Sequence, residues 1–384
     1  MSMMSFKIDC VVGARPNFVK IAPIMRALSA KPGIVTRLIH TGQHYDFLMN
    51  AVFFEELRIP APAINLEVGS GSGIDQIAKI MIALEPIWIA QMPDLLIVVG
   101  DVNSTLAAAL AASKLRIPVA HVEAGLRSFD RAMPEEINRL VTDRLSDLLF
   151  VTEPSGMDNL RTENVPPDQV VFVGNVMIDT LYACLERAVP AQQTFAEIGV
   201  TSQFREAASA KGFGFATMHR PSNVDDAVKL DALLKAFMKI SNDIPLVFAI
   251  HPRTRAMIAS AEMDGFLDAP MIASTPPLSY LRAIGLMREA RFVATDSGGI
   301  QEETTVLGVP CLTIRDNTER PITIAEGTNT LVGTTPEALL AAVADIRTTG
   351  GKTGRRPILW DGKAAERIAD AAVDFLSSRV RQQT

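Results

Sequence analysis

Seven segments of this chain set charged or polar side chains directly after an apolar run: VVGARPNFVKIAP, HTGQHYDF, LLIVVGDVNSTLAAALAASKL, VAHVEAGLRSFDRAMPEEINRL, GFGFATMHRPSNVDD, AIHPRTR and FVATDSGGIQEETTVLGVPCL. In the first half these segments supply carboxylates suited to acid–base work. Glu123 ends an apolar run, where burial without a partner is costly, so it is expected to point into a cleft with Arg127 as its natural partner. Asp101 precedes Asn103, Ser104 and Thr105, which can cap the next helix without it. Glu135 and Glu136 follow Pro134 at a helix start, where one of the two is an ordinary complement to the helix dipole.

Groups suited to phosphate dominate the second half. Ser297, Gly298 and Gly299 form a strand-to-helix turn of small residues with exposed backbone N–H groups, an anion-binding arrangement. Glu302 and Glu303 are expected in the first turn of the helix that follows, within reach of ribose hydroxyls. His219, Arg220, His251 and Arg253 stand at strand ends, and Asn223 or Asp225 is expected to cap the helix after His219. RDNTERP adds Arg315, Glu319 and Arg320, and EGTN adds Glu326. In the first half, Arg15 and Lys20 follow Gly13 near a helix start. They fit a diphosphate as well as they fit two surface charges. Gln43 and His44 follow a strand, but a lone histidine is more often structural.

The elements that must position these residues alternate along the whole chain. Strand-like runs occur at 8–12, 35–39, 95–99, 119–122, 148–151 and 170–173, with helix-like segments at 18–30, 74–90, 104–114, 135–145 and 176–187. After a junction at 190–204 the pattern restarts, with strand-like runs at 213–217, 246–250, 292–295, 311–313 and 330–332. Continuous apolar strands with helices between them imply parallel sheets covered on both faces. The fold class is therefore α/β, with two Rossmann-like doubly wound domains facing a central cleft. Ligands in such sheets lie beyond the carboxyl ends of the strands, where the charged segments cluster. The domains are drawn as 1–188 and 189–362. The amphipathic helix within 363–384 is a candidate to pack back on the first.

The chain has 384 residues, 48% hydrophobic and 21% charged, which suits two domains with full cores rather than disorder. A net charge of −6, with both signs spread along the chain, gives no footprint for nucleic acid or an anionic membrane. The basic cluster Lys352–Arg356 reads as a solvated loop. No stretch reaches membrane-spanning length and the start lacks signal-peptide architecture. Cys10, Cys184 and Cys311 are expected to be buried free thiols, which fits the cytoplasm. Only Gly13 is present where a dinucleotide fingerprint needs three glycines, and no compact His/Cys group suggests a metal. Neither a nicotinamide nor a metal cofactor is expected.

Together GARPNFVKIAPI, VVGDVNSTLAAALAA, HVEAGLRS, MPEEINR, TMHRPSN, ATDSGGIQEE and TERPITI resemble the non-hydrolysing UDP-N-acetylglucosamine 2-epimerases, over nearly the whole chain. The resemblance implies two Rossmann domains of the GT-B type and no redox cofactor. It implies reversible conversion of UDP-N-acetylglucosamine to UDP-N-acetylmannosamine by elimination and re-addition of UDP, feeding surface polysaccharide synthesis. By match, Asp101, Glu123, Glu135 and His219 take the catalytic positions. Arg15, Lys20, Ser297, Gly298, Gly299, Glu303 and Arg320 take the nucleotide-sugar positions. Gln43 and His44 match part of a segment that binds an activating second UDP-sugar in some members, although Phe47 stands where those members usually have methionine. A homodimer is expected. The rival readings are a 2-epimerase of a modified UDP-sugar, a GT-B glycosyltransferase, a hydrolysing 2-epimerase and a sugar-nucleotide sensor.

Overall fold

A computed structural model describes residues 5–42 and 47–383. The described residues form two compact units. One runs to Ala183 and resumes at Ile358; the other spans Cys184–Pro357.

The first unit holds a seven-stranded sheet built from β1 (Phe6–Val12), β2 (Ile34–His40), β3 (Ile64–Asn65), β4 (Leu95–Val99), β5 (Val119–Ala124), β6 (Leu148–Val151) and β7 (Val170–Phe172), in the order β3-β2-β1-β4-β5-β6-β7. All neighbours pair in parallel. The second unit holds β8 (Gly214–Thr217), β9 (Leu246–Ala249), β10 (Ile272–Thr275), β11 (Phe292–Thr295), β12 (Cys311–Thr313) and β13 (Asn329–Leu331), again all parallel, in the order β10-β9-β8-β11-β12-β13. The sequence of β4, LLIVV, is apolar at every position because helices cover both faces, and each of its residues is fully buried. In each sheet the strand order reverses between the first strand and the fourth, β1 beside β4 and β8 beside β11. That reversal opens a crevice beyond the strand ends.

Two strands, β3 and β10, were not foreseen. Both are sheet edges, and their half-covered residues do not form continuous apolar runs. The segment 190–204 is not a bare junction. It holds the helix Ala191–Glu197 and the start of Ser202–Lys211, and Phe195 and Phe204 are fully buried with ring centroids 5.5 Å apart.

The last helix, Ala364–Gln383, belongs to the first unit and packs on the helix Arg15–Ser29. Trp360, fully buried, donates its indole N–H to the Thr152 carbonyl at 3.1 Å. Asp179 accepts the N–H groups of Ala364 and Ala365 at 3.2 and 2.7 Å, capping the helix from a neighbouring element. Burial pushes the Asp179 carboxyl up to about 6, although these two amides pull it down.

The three cysteines are free and buried. Among the described residues, no helix is long and apolar enough to cross a membrane. Nor is any group of three or more His, Cys, Asp or Glu side chains placed to hold a metal. Within the Lys352–Arg356 loop, Lys352 is not solvated as expected. Its ammonium donates to the carbonyls of Ile324 and Asn329.

Candidate active site

In the first unit side chains tie the strand ends together at this crevice. The helix Arg15–Ser29 starts three residues after the end of β1. Asn17 accepts the N–H groups of Gly13 and Ala14, each at 3.2 Å, and donates to the Val99 carbonyl at the end of β4 at 2.8 Å. Gly13 is needed because a Cβ there would meet the Ser104 hydroxyl at 2.1 Å. Arg15 opens the helix, while Lys20 lies further along it, buried, with its ammonium 2.5 Å from Glu123 Oε2. Gly100, at φ +69°, leaves room for that ammonium, since a Cβ would come within 2.9 Å of Lys20 Nζ.

The expected partner of Glu123, Arg127, is committed elsewhere. Its guanidinium pairs with Asp143 and Glu163, both at 2.7 Å. Glu123 itself has φ +76° and sits where the register between β5 and β6 shifts. This bulge re-aims the carboxylate out of the strand's alternation, at a typical backbone cost of about 1–3 kcal/mol.

Asp101 follows Gly100 and is half-buried, with Arg139 seated on its carboxylate and Asn138 donating to its carbonyl at 2.8 Å. The helix Asn103–Lys114 has Val102 at its cap position and no side-chain cap. Ser104 and Thr105 do not cap it as expected; both are buried, and Thr105 donates to the Val99 carbonyl at 2.9 Å. Of the acidic pair, Glu136 is the structural one. It accepts the N–H groups of Ser128 and Phe129, both at 2.9 Å, and pairs with Arg139. Burial alone would raise the Glu136 carboxyl, but these bonds hold it below its ordinary range. Glu135 is left half-exposed on the same turn.

In the second unit, Thr217 of β8 and Thr295 of β11 are register partners, so His219 and Asp296 emerge side by side at the strand-order reversal. Asp296 is fully buried, and its carboxylate accepts the N–H of His219 (3.0 Å), the N–H of Arg220 (2.9 Å) and the side-chain amide of Asn223 (3.1 Å). His219 Nδ1 lies 3.0 Å from Asp296 Oδ1. Burial alone would raise the Asp296 carboxyl, but His219 and the backbone amides outweigh it and hold it low. The carboxylate thus orients the ring through Nδ1 and leaves Nε2 as the outer nitrogen of a 39%-exposed side chain. Asn223 does not cap a helix, because its amide is committed to Asp296 and the Ile314 carbonyl. Asp226 caps Ala227–Ser241 instead.

The helix Gly298–Leu307 begins two residues after Asp296, with Ser297 at its cap position making no side-chain cap bond. Arg220, Arg315 and Arg320 gather beside this turn. Glu319 lies 2.7 Å from Arg315 and 3.6 Å from Arg220, and Arg320 pairs with Glu302 at 2.9 Å. Burial would raise Glu319, but Arg315 and Arg320 hold it far below the usual carboxylate range. Glu302 and Glu303 fall in the second turn of this helix rather than the first. Glu303 accepts a hydrogen bond from the Tyr280 hydroxyl at 2.7 Å, and burial pushes its carboxyl up to about 7.

Gln43 and His44 lie outside the described residues. Asn17, Arg139 and Tyr280 escaped sequence reasoning. Asn17 and Arg139 sit inside segments already marked as reactive, whereas Tyr280 follows the unforeseen strand β10.

A family model described as UDP-N-acetylglucosamine 2-epimerase matches residues 26–372. A UDP-N-acetylglucosamine 2-epimerase of Methanocaldococcus jannaschii is 40% identical over 365 residues, covering 94% of this chain and 97% of the relative. A UDP-2,3-diacetamido-2,3-dideoxy-D-glucuronate 2-epimerase of Pseudomonas aeruginosa is 38% identical over 369 residues, covering 95% and 98%. The crystal structure of the M. jannaschii UDP-GlcNAc 2-epimerase in complex with UDP-GlcNAc and UDP matches with a TM-score of 0.84 at 38% identity, covering 96% of this chain and 99% of that one. Sequence, sheet topology and these matches agree: the chain belongs to the UDP-N-acetylglucosamine 2-epimerase family.

Proposed function

We propose that this protein interconverts UDP-N-acetylglucosamine and UDP-N-acetylmannosamine without hydrolysis, by eliminating UDP and adding it back. The carrying observation is the turn after β1. In a nicotinamide-binding Rossmann fold such a turn offers bare backbone amides to a pyrophosphate. Here the amides of Gly13 and Ala14 are occupied by Asn17, while a lysine and a strained glutamate meet behind them. That arrangement suits proton transfer rather than hydride transfer.

In the forward direction a carboxylate of the Asp101, Glu123 and Glu135 set takes the carbon-2 proton. The bond from carbon 1 to the diphosphate oxygen breaks, and a glycal and UDP result. In the return step a proton is delivered to the opposite face of carbon 2, and UDP oxygen re-forms the bond at carbon 1. Within this reading Arg15, the Ser297–Gly299 turn and Arg320 bind the nucleotide diphosphate and Glu303 the ribose. Lys20 serves the departing charge and His219 exchanges a proton through Nε2. The product would feed surface polysaccharide synthesis, and three buried free thiols suit a reducing cytoplasm.

A second substrate is favoured by one comparison. The Pseudomonas relative named for a diacetamido uronate is almost as similar as the Methanocaldococcus one, 38% against 40% identical. A panel of UDP-N-acetyl sugars, followed by NMR at carbon 2, separates the two. Epimer from UDP-N-acetylglucosamine supports the first, epimer only from a 3-acetamido uronate supports the second, and free sugar plus UDP overturns the non-hydrolysing reading.

A homodimer belongs to the same proposal. The helix Gly73–Ala90 presents Ile74 (83% exposed), Ile82 (70%) and Ile89 (67%) at helical spacing. Such a stripe supports the dimer reading. Light scattering should give twice the chain mass and Ile82→Glu should halve it; a monomeric wild type overturns the dimer.

A further inference from the structure

Two buried groups stand behind the strand ends of the first unit and take no part in the chemistry above. His121 lies on β5, two residues before Glu123, and Asp143 lies on the helix Pro134–Leu145; their exposures are 0% and 3%. His121 Nδ1 faces Asp143 Oδ1 at 2.6 Å and Nε2 faces the Gly100 carbonyl at 2.8 Å. A carbonyl oxygen only accepts, so Nε2 carries a hydrogen. Burial alone would raise the Asp143 carboxyl, but His121, Arg127 and the Gly125 amide outweigh it and keep it ionised. An ionised carboxylate also only accepts, so Nδ1 carries a hydrogen as well. With both nitrogens donating, the ring is a cation. Ion pairs link it to Asp143 and, beyond that carboxylate, to Arg127 and Glu163.

The other end of Asp143 completes a bridge. Its Oδ2 accepts the Gly125 amide at 3.0 Å, and Asn159 holds the Gly125 carbonyl at 2.9 Å. Gly100 and Glu123 both occupy the left-handed region, at φ +69° and +76°, where an unsupported backbone would relax. We infer that His121 and Asp143 are positioning residues, a buried imidazolium–carboxylate brace tying the Gly100 carbonyl, one residue before Asp101, to the Gly125 amide, two residues after Glu123. The inference rests on the epimerase reading. The brace holds two carboxylates at a fixed separation without touching substrate.

The test uses the full-length protein with 15N-labelled histidine, the His121 signals being those lost in His121→Asn. Both ring nitrogens of His121 should carry a proton, whether or not substrate is present. Asp143→Asn, which turns an acceptor into a donor, should convert the ring to a neutral tautomer. It should lower kcat ~10- to 100-fold while KM and UDP affinity by calorimetry move less than about threefold. Glu163→Gln, at the rim, should leave both nearly unchanged. A neutral His121 in the wild type overturns the brace, even if Asp143→Asn does not fold. Wild-type kcat in a folded Asp143→Asn overturns the positioning role. Should the wild type epimerise no UDP-sugar, the functional reading fails, while a doubly protonated His121 still establishes the brace.

Discussion

The ammonium of Lys20 rests on the carboxylate of Glu123, 2.5 Å away, with the two side chains 8% and 2% exposed. Lys20 comes from the helix after β1 and Glu123 from the end of β5, with the Gly100 turn after β4 between them. The pair therefore fixes three chain segments around one buried charge contact. Within the proposed function, it also gives one of the three candidate carboxylates a cationic partner.

Breaking this pair from one side strands the other charge. Removing one partner of a buried ion pair typically costs about 3–5 kcal/mol. Lys20→Met should lower unfolding free energy by that amount in urea titrations, and adding Glu123→Gln should restore part of it. Independent, additive effects of the two substitutions would show that the contact carries no such coupling.

General acid–base groups typically contribute ~10²–10⁴-fold in rate. Asp101→Asn, Glu123→Gln and His219→Ala should each lose activity on that scale while circular dichroism shows a retained fold. Near-normal turnover in a folded Glu123→Gln variant would move the chemistry to other residues.

The alternation of apolar and amphipathic runs was enough to read two doubly wound sheets, because interior strands such as β4 are apolar on both faces. Edge strands such as β10 were invisible for the converse reason. The candidate residues stood out because charge at the end of an apolar strand has few structural explanations. Their partners were not. Arg127 is close to Glu123 in sequence, but the left-handed backbone at Glu123 turns its carboxylate toward Lys20, from a distant helix. Asn223 looked like a cap, yet a buried Asp296 needs donors, and that demand is set by the pairing of β8 with β11.

Burial pushes the Glu303 carboxyl from 4.5 up to about 7, with Tyr280 offsetting part of the rise. A carboxyl whose pKa is raised on folding holds its proton better when folded. Its contribution is complete below about pH 4.5 and is lost as pH rises through about 7, by about 3 kcal/mol in all. Wild-type unfolding free energy should therefore fall between about pH 5 and about pH 8 relative to Glu303→Gln. Parallel pH profiles for the two proteins would show that Glu303 is not held protonated. The lowered groups, Asp143, Asp296 and Glu136, act in the opposite direction, their contribution being lost as pH falls below the ordinary carboxylate range.

The elimination itself is tested most directly at carbon 2 of the sugar. Reversible turnover of the accepted UDP-sugar in heavy water should place deuterium at carbon 2 of the product, because the proton removed by one carboxylate is replaced from another that has exchanged with solvent. The same incubation, read by mass spectrometry and proton NMR, should show labelled product accumulating with epimerisation. Epimerisation with the original carbon-2 hydrogen fully retained would contradict the elimination and leave Asp101, Glu123 and Glu135 without the acid–base role proposed for them.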